Sequence, residues 1–326
     1  MQTDTAAMIA PPTIAPGRIR VIRHDSAQGT WEMAFCAPHP RLRGLVDTYA
    51  GYDESNTRFT RRHELPSIQA VLIVNLGAPV TIVDTAGHVV PIASGDGFGA
   101  GLSEAYATSE SNGSQRGLQV MFTPLGAWRF FRMPMHELAN RVFTLDDLLG
   151  HREAARLIVR LQEAHGWDTC FALLDEAIAA RLAEPTETAG STAWALRQLV
   201  QSHGAIGIAA LADEIGCSRK HLATQFHEHV GLTPKTVARI LRFRQVLQLV
   251  ARSAKVDWAE IAQAAGYFDQ AHFSRDFRDF MGMTPKAFLE MPRPISKAAV
   301  RARLEALGQP LQVLQGPAIP QALDAA

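Results

Sequence analysis

Two stretches of this chain follow one pattern: residues 211–234 are LADEIGCSRKHLATQFHEHVGLTP, and residues 261–285 are IAQAAGYFDQAHFSRDFRDFMGMTP. In both, an apolar residue and an alanine come first, a glycine follows five residues after the start, and Gly-x-Thr-Pro comes last. Equivalent positions lie 50 residues apart up to the first glycine and 51 residues apart after it. The chain therefore contains a duplicated unit with one residue inserted at its turn.

Each unit has the sequence features of a helix-turn-helix. In the first unit Leu211 lies on a short predicted helix, and Gly216 supplies the permissive backbone that ends it. Ser218 can cap a second helix, on which Leu222 and Phe226 stand four residues apart and pack against the first. The sequence thus predicts two helices joined by a tight turn.

The second unit repeats these features. Asp257 followed by Glu260 has the spacing of a capping-box variant and predicts the start of its first helix. Phe273 and Phe277 take the places of the two anchoring residues on its second helix. In both units the residues between the anchors face away from the core.

The outward residues have the chemistry of a DNA reader. Arg and Gln make bidentate contacts to guanine and adenine in the major groove, and Thr and Ala can contact a thymine methyl. Any solvent-facing helix carries polar residues, but a duplicated pattern with matching turns favours DNA binding. The outward residues are Arg219, Lys220, Ala223 and Thr224 in the first unit and Gln270, Ala271, Ser274 and Arg275 in the second.

The segment between the units predicts a connecting helix. Thr233 precedes Pro234, and proline suits the first helical position because its missing N–H would have no partner there. Apolar residues recur with a helical period over 234–251, without an interior glycine or proline. Such a helix spans about 27 Å. It can hold two recognition helices near the roughly 34 Å spacing of successive major grooves, with some bending of the duplex.

Over residues of about 195–290 the sequence resembles the DNA-binding domain of the AraC/XylS family of bacterial transcription regulators. The resemblance is carried by the two Gly-x-Thr-Pro closures, by LRFRQVLQLV at 241–250, and by the run 261–277. It implies an all-α domain in which a linker helix joins two helix-turn-helix units. It also implies sequence-specific binding to double-stranded DNA.

The resemblance further assigns positions on the two recognition helices. The base-facing positions are Lys220, Ala223 and Thr224 on the first helix and Gln270, Ala271 and Arg275 on the second. Because residues 223 and 224 are small, the first helix is expected to contact mostly phosphates. Such contacts supply much of the affinity, and base contacts the choice of sequence. The expected phosphate contacts are Arg219, Lys220, Arg239, Arg242 and Arg278.

Length and charge predict two domains. Residues 1–194 carry 16 Lys and Arg against 21 Asp and Glu, whereas residues 195–295 carry 13 against 9. An acidic half joined to a basic half is typical of a sensor joined to a nucleic-acid binder. The expected division is a flexible lead-in at 1–17, a β-rich sensor and dimerisation domain at 18–183, a linker at 184–191, an AraC-type DNA-binding domain at 192–291 and a tail at 292–326.

Short candidate strands fill the amino-terminal half, separated by glycine and proline, as in a sandwich or small barrel. With the family resemblance this predicts an α+β chain that begins with a cupin-like barrel. Residues 95–101 are interpreted as a flexible turn or a lid over the barrel mouth. The predicted strands are 30–35, 57–64, 68–76, 80–84, 88–92, 105–110 and 117–122.

Helical patterns follow Pro124, at 126–132, 136–142, 152–164 and 168–183. On the last of these, apolar residues at 171, 174, 178 and 182 form a stripe. This stripe either packs on the barrel or, as the resemblance implies, contributes to a homodimer contact. Residues 296–307 predict a basic amphipathic helix in the tail.

A small-molecule pocket inside the barrel is the expected effector site. Trp31 supplies aromatic surface, and Arg61 or His63 could orient a polar ligand. The alternative class is a cupin-like metalloenzyme with a DNA-binding appendage. Cupin metal sites use a His-x-His pair with a carboxylate, a pair that the β-rich half of this chain lacks. Because His63 and Glu64 are adjacent on a strand, they cannot both face the interior.

No Gly-x-Ser-x-Gly elbow or phosphate loop is present. We therefore expect no catalytic residues, no metal and no cofactor. The three cysteines are far apart and odd in number, which predicts no disulfide framework and favours a reducing compartment. They also argue against a regulator that takes alkyl groups onto clustered cysteines. No signal peptide or 18-residue apolar window is found, so no membrane span is expected.

Together these patterns predict a cytoplasmic transcription regulator, not an enzyme. It is expected to bind double-stranded DNA, to respond to a small-molecule effector and to form a homodimer. The family resemblance favours activation through contact with RNA polymerase, although repressors share the fold.

Overall fold

The computed structural model describes residues 18–26, 29–56, 60–111, 114–183, 189–253, 255–290 and 312–315. Within these ranges the amino-terminal half is built of strands followed by helices, and the carboxy-terminal half is helical, so the chain is α+β. The predicted lead-in at 1–17, the core of the predicted linker at 184–188 and the predicted basic helix at 296–307 lie outside the described residues.

Strands occupy most of the described sequence up to residue 122, and two short strands lie beyond it. They are β1 Ile19–Ser26, β2 Gly29–Cys36, β3 Val46–Asn56, β4 Thr60–Glu64, β5 Ala70–Asn75, β6 Val80–Val83, β7 Val89–Ile92, β8 Asp96–Ala100, β9 Ala107–Ser111, β10 Ser114–Phe122, β11 Val142–Thr144 and β12 Gln312–Gln315.

Helices follow from residue 124. They are α1 Pro124–Phe131, α2 Met135–Leu138, α3 Leu145–Leu149, α4 His151–Glu163, α5 Trp167–Leu182, α6 Gly190–Gln201, α7 Ile208–Ile215, α8 Arg219–His229, α9 Pro234–Arg252, α10 Trp258–Ala264, α11 Gln270–Met281 and α12 Pro285–Glu290.

The described strands form two antiparallel sheets that face each other. One sheet has the order β1-β2-β3-β10-β5-β8-β11, and the other has the order β12-β4-β9-β6-β7. Alternate side chains of β3 and β10 point to opposite faces of the first sheet. On one face Tyr49, Leu118 and Val120 pack under the helices, and on the other Tyr52 and Gln119 face the second sheet. The order of layers is therefore helices, long sheet, cavity and short sheet.

The helices that follow the strands cover the long sheet. Thr123 caps α1 by accepting a hydrogen bond from the Gly126 N–H at 3.0 Å, and Pro124 is at the first helical position. The predicted stripe on α5 is buried inside the chain, with Phe171 fully buried. The interpretation in which this stripe packs on the sheet is thus confirmed, and a dimer contact through it is wrong.

The hairpin of β6 and β7 and the cores of the other predicted strands are confirmed where they are described. The sequence patterns did not predict β1, β3, β8, β11 or β12. Residues 95–101 are neither a turn nor a lid, because 96–100 form β8 between β5 and β11. A side chain at Gly99 would overlap Leu148, so glycine here permits close packing. The helix predicted at 136–142 is also wrong at its end: α2 stops at Leu138, and β11 begins at Val142.

One apolar core runs from the long sheet through the helices into the carboxy-terminal half. No helix within the described ranges is both long and apolar enough to cross a membrane.

Candidate nucleic-acid interface

The first helix-turn-helix consists of α7 and α8. Gly216 ends α7 with a left-handed φ of 74°. At the start of α8 the Ser218 hydroxyl accepts a hydrogen bond from the His221 N–H at 3.1 Å. Leu211 and Leu222 are buried between the two helices. The turn, the cap and the packing face therefore confirm the sequence prediction.

The outer face of α8 carries the residues predicted to meet DNA. Arg219, Lys220 and Thr224 are exposed, and Ala223 is half-buried. The Thr224 hydroxyl donates to the Lys220 carbonyl at 3.1 Å, so its proton is used within the helix. Any contact of Thr224 to a base edge is therefore best made by its methyl group, which suits thymine.

The second unit consists of α10 and α11. The Asp257 carboxylate caps α10, and the Asp269 carboxylate caps α11 by accepting from the His272 N–H at 2.6 Å. The outer face of α11 presents the predicted residues to solvent. Those exposed residues are Gln270, Ala271, Arg275 and Arg278.

A further residue stands beside this face. Phe268 lies in the turn just before α11 and is 94% exposed, whereas its neighbour Tyr267 is buried. An aromatic ring at the start of a recognition helix can make apolar contact with a thymine methyl. The sequence reading did not assign Phe268, although two adjacent aromatic residues in a short turn are a signal that one of them is exposed.

The two units are joined by arginines of α9. Arg239 donates from Nε and Nη2 to Asp276 Oδ1 of α11, at 3.0 and 2.8 Å, and from Nη2 to Asp279 Oδ2 at 2.9 Å. Burial acts to lower the Arg239 pKa, but the two carboxylates outweigh it and raise that pKa. Arg242 donates to the Gly204 carbonyl at 2.8 Å and lies over the Tyr267 ring. Both arginines, expected to contact phosphates, make contacts within the protein.

The recognition helix α8 also contacts the sensor half. The ring of Trp128 on α1 lies 4.4 Å from that of His229, and Thr192 Oγ1 lies 3.0 Å from His229 Nδ1. Gly231 has a φ of 94°, and a side chain there would meet the Met135 carbonyl. This close approach fixes the end of α8 against α1 and α2.

The second unit contacts the sensor half at a different place. A Cβ at Gly282 would lie 2.5 Å from the Tyr106 ring, and Tyr106 stacks on His63 at a centroid distance of 4.6 Å. Further along α9, Arg244 faces Asp47. Burial raises the pKa of Asp47, and Gln69 and Arg244 oppose that effect.

A cavity of about 150 Å³ lies between the two sheets. Arg62 and Glu64 of β4 line it, together with residues of the long sheet. Arg61 and His63, predicted as ligand contacts, are on the opposite face of β4, because successive strand residues alternate. Arg61 pairs with Glu110 there at 3.0 Å. The third predicted contact, Trp31, is half-buried outside the cavity lining.

The described residues offer little for the alternative chemistries. Nowhere in that part of the chain do three His, Cys, Asp or Glu side chains stand together as metal ligands. Cys36 and Cys170 are buried, and burial raises the pKa of the Cys36 thiol to about 11. A thiol of that kind stays protonated near neutral pH and is a poor nucleophile.

Comparison with known families bears directly on the two capped units. Residues 211–291 match a family model described as a helix-turn-helix domain. This chain is a DNA-binding transcription regulator with a helix-turn-helix domain. In this regulator residues 34–144 match a second model, described as a domain of unknown function. None of the curated proteins matches the chain.

Solved structures similar to this chain include three transcription regulators. ToxT from Vibrio cholerae is 12% identical with a TM-score of 0.42, and the match covers 76% of this chain and 98% of that chain. The AraC-like activator CuxR is 15% identical with a TM-score of 0.31, covering 71% and 86%. A regulator with an AraC-type DNA-binding domain from Chromobacterium violaceum is 26% identical with a TM-score of 0.27, covering 36% and 98%.

Proposed function

We propose that this regulator reads DNA with both helix-turn-helix units at once and that its β-rich half senses a small effector. The observation that carries the first part is the pair of capped recognition helices tied to one connecting helix. At 19 residues, α9 spans about 28 Å. Ion pairs from Arg239 hold α11 against it, so the helices would enter successive major grooves as one body.

The proposed division of roles follows from exposure. Gln270, Ala271 and Arg275 would read bases from α11, and Lys220, Ala223 and Thr224 would face the groove from α8. Exposed cations give the charge that attracts phosphates. The proposed phosphate contacts are Arg219, Lys220 and Arg278. Arg239 and Arg242 would act indirectly, by holding the two recognition helices in place.

The effector part rests on the cavity and on its place in the fold. It lies in the half of the chain that packs against both units, through Trp128 at the first and Tyr106 at the second. A ligand that moves the sheets would therefore act on both contacts. We place the regulator in the cytoplasm, where its DNA is, and expect it to activate transcription through contact with RNA polymerase.

A homodimer is part of the same proposal. Because the α5 stripe is buried within the chain, the outer face of α4, which exposes Val159, is the surface we assign to the contact. Light scattering on the purified protein tests it: wild type should have twice the mass of the chain, and Val159→Asp should shift the mass towards that of one chain.

Selection of bound duplexes from a randomised DNA pool is the experiment that tests the DNA-binding proposal. Enrichment of a site with two short blocks about one helical turn apart is expected. Enrichment of one block only would show that a single unit reads DNA. Failure of folded protein to enrich any site at low salt would overturn the proposal that the free protein reads DNA.

A further inference from the structure

The cavity between the sheets is crossed by an ion pair. Arg62 of β4, on the short sheet, donates from Nη1 to Glu54 Oε1 of β3, on the long sheet, at 2.7 Å. Its Nη2 donates to the other Glu54 oxygen, and Nη1 also reaches Gln115 Oε1 of β10 at 3.1 Å. The guanidinium thus joins the two sheets by its far end. Both of its terminal nitrogens, Nη1 and Nη2, are hydrogen-bonded to protein side chains.

Two buried donors beside this ion pair lack a hydrogen-bond partner among the residues that the structure describes. Arg62 is 9% exposed and Gln119 is 5% exposed. Within the described residues neither Arg62 Nε nor Gln119 Nε2 has a hydrogen-bond partner. Both side chains line the cavity. An unpartnered buried donor is costly and favours any ligand that brings an acceptor to it.

The cavity also offers an acceptor. Glu64 lines it and receives a hydrogen bond from Ser109 on one oxygen, at 2.7 Å, which leaves capacity on its carboxylate to accept another. The charged side chains in the lining are Arg62, Glu54 and Glu64, so the lining carries one positive charge and two negative charges. An anionic ligand would be repelled, because Arg62 is already neutralised by Glu54. A cationic ligand would bring no acceptor to the two unpartnered donors.

The remaining walls are apolar and the space is small. Val71, Ile73, Ile82 and Phe98 supply much of the surface. Burial, and then the nearby Glu54, raise the pKa of Tyr52, so the phenol beside them stays neutral. Protein cavities near 150 Å³ hold about one benzene ring. The ligand is therefore a compact molecule with an apolar body.

We infer that this cavity binds a small uncharged ligand with an apolar body and a carboxamide-like polar end. The carbonyl oxygen of the ligand accepts from Gln119 Nε2 or Arg62 Nε, and its N–H donates to Glu64. This inference rests on the proposed effector role of the β-rich half and adds the chemical class of the effector.

Three probes of nearly equal shape test the class. Benzamide is neutral and both donates and accepts, benzoate is an anion that only accepts, and benzamidine is a cation that only donates. Calorimetric titration of the full-length protein should give a dissociation constant for benzamide roughly tenfold or more below those of benzoate and benzamidine.

Gln119→Leu keeps the size of the side chain and removes the unpartnered donor, so the variant should fold at least as stably as wild type. Its affinity for benzamide should fall roughly five- to tenfold. Arg61→Met, on the face of β4 that points away from the cavity, is the control and should bind benzamide as wild type does.

Three results overturn the inference: binding of none of the probes at millimolar concentration, binding of either charged probe as tight as that of benzamide, or unchanged affinity in Gln119→Leu. DNA binding is measured separately, by anisotropy on the selected duplex. If the protein binds DNA but not benzamide, the inferred ligand class is wrong and the DNA-binding proposal is unaffected. If benzamide binds but does not change the affinity for DNA, the proposed effector role of the cavity is wrong.

Discussion

Arg239 of the connecting helix places two of its nitrogens on a single oxygen of Asp276, a carboxylate that is buried in the second recognition helix. The two partners differ in exposure: the Arg239 side chain is 26% exposed, and that of Asp276 only 4%. Removal of the arginine would leave a buried carboxylate without its strongest partner.

Arg239→Met should therefore lower the free energy of unfolding by roughly 3 kcal/mol. Asp279→Asn removes the exposed partner of the same arginine and should cost less than about 1 kcal/mol. Urea unfolding of both variants gives the comparison. Equal losses would show that the buried pair contributes no more than a surface one.

Arg275→Ala should weaken binding to the selected site by roughly 1 to 3 kcal/mol and relax the choice at one base pair. Lys220→Ala should instead weaken binding to all sequences and reduce the slope of log affinity against log salt by about one. Anisotropy titrations on the site and on its single-base variants separate the two. Arg20→Ala, exposed on β1, is the control. A uniform loss for Arg275→Ala would contradict a base-reading role.

Phe268→Ser should reduce DNA affinity several-fold without loss of stability, since a change at an exposed position usually alters stability by less than about 0.5 kcal/mol. The reduction should be largest on sites with thymine at the contacted position. Val89→Ser, 63% exposed in the sensor half, controls for the general loss of an exposed apolar side chain. If both variants bind DNA like wild type, Phe268 has another role.

Gly231→Ala and Gly216→Ala both put a side chain on left-handed backbone, a strain of about 1 to 2 kcal/mol. Only at Gly231 does the new methyl group also meet another element, at the Met135 carbonyl; around Gly216 there is open space. Gly231→Ala should therefore lower the urea midpoint more than Gly216→Ala does. Equal midpoints would mean that α2 and the end of α8 can move apart to accommodate the methyl group at little energetic cost.

Trp167→Phe should change how stability depends on pH. The Trp167 N–H donates to Glu32 at 2.6 Å, and this bond lowers the Glu32 pKa against the opposing effect of burial, with further lowering by Arg23. A lowered carboxyl pKa adds stability above the ordinary value of about 4.3, and that stability is lost as pH falls through the folded-state pKa.

Loss of this bond should cost about 1 kcal/mol at about pH 7, in addition to the cost of the smaller ring. The difference in free energy of unfolding between wild type and Trp167→Phe should then become smaller by about that amount towards about pH 3. Unfolding curves at both pH values measure the narrowing. When Glu32→Gln is also present, replacing Trp167 by Phe should lower the free energy of unfolding by the same amount at both pH values. A loss that still becomes smaller at low pH would assign the effect to another group.

The carboxy-terminal half was the more predictable part of the fold because its signals are local. A cap such as Ser218, a left-handed glycine such as Gly216 and the spacing of Phe273 and Phe277 each act within a few residues. Their duplication made every one of them visible twice.

The sheets were less predictable because their strands are specified by distant partners. β3 pairs with β2 and β10, and nothing near it in sequence identifies it as central. β8 is rich in glycine, which usually indicates a turn; it is a strand because Leu145 and Leu148 lie where side chains would otherwise be.

The face of a strand was a further point that the sequence left open. The alternation along β4 was clear, but either Arg61 and His63 or Arg62 and Glu64 could have pointed inward. The structure selects the second pair because Arg62 finds Glu54 across the cavity. In the same way the sequence around Arg239 predicts a phosphate contact, because its actual partner, Asp276, lies 37 residues away in sequence.

Strand β4 separates the cavity from the second DNA-binding unit by the thickness of a single backbone. Arg62 is on its inner face, and its neighbour His63 stacks on Tyr106, the ring against which Gly282 packs. Under the proposed effector role, a ligand bound beside Arg62 would act on the strand that supports that ring. The proposed route from ligand to DNA-binding unit would thus have three steps: from Arg62 to His63 along the strand, from His63 to Tyr106, and from Tyr106 to Gly282 at the end of the second recognition helix.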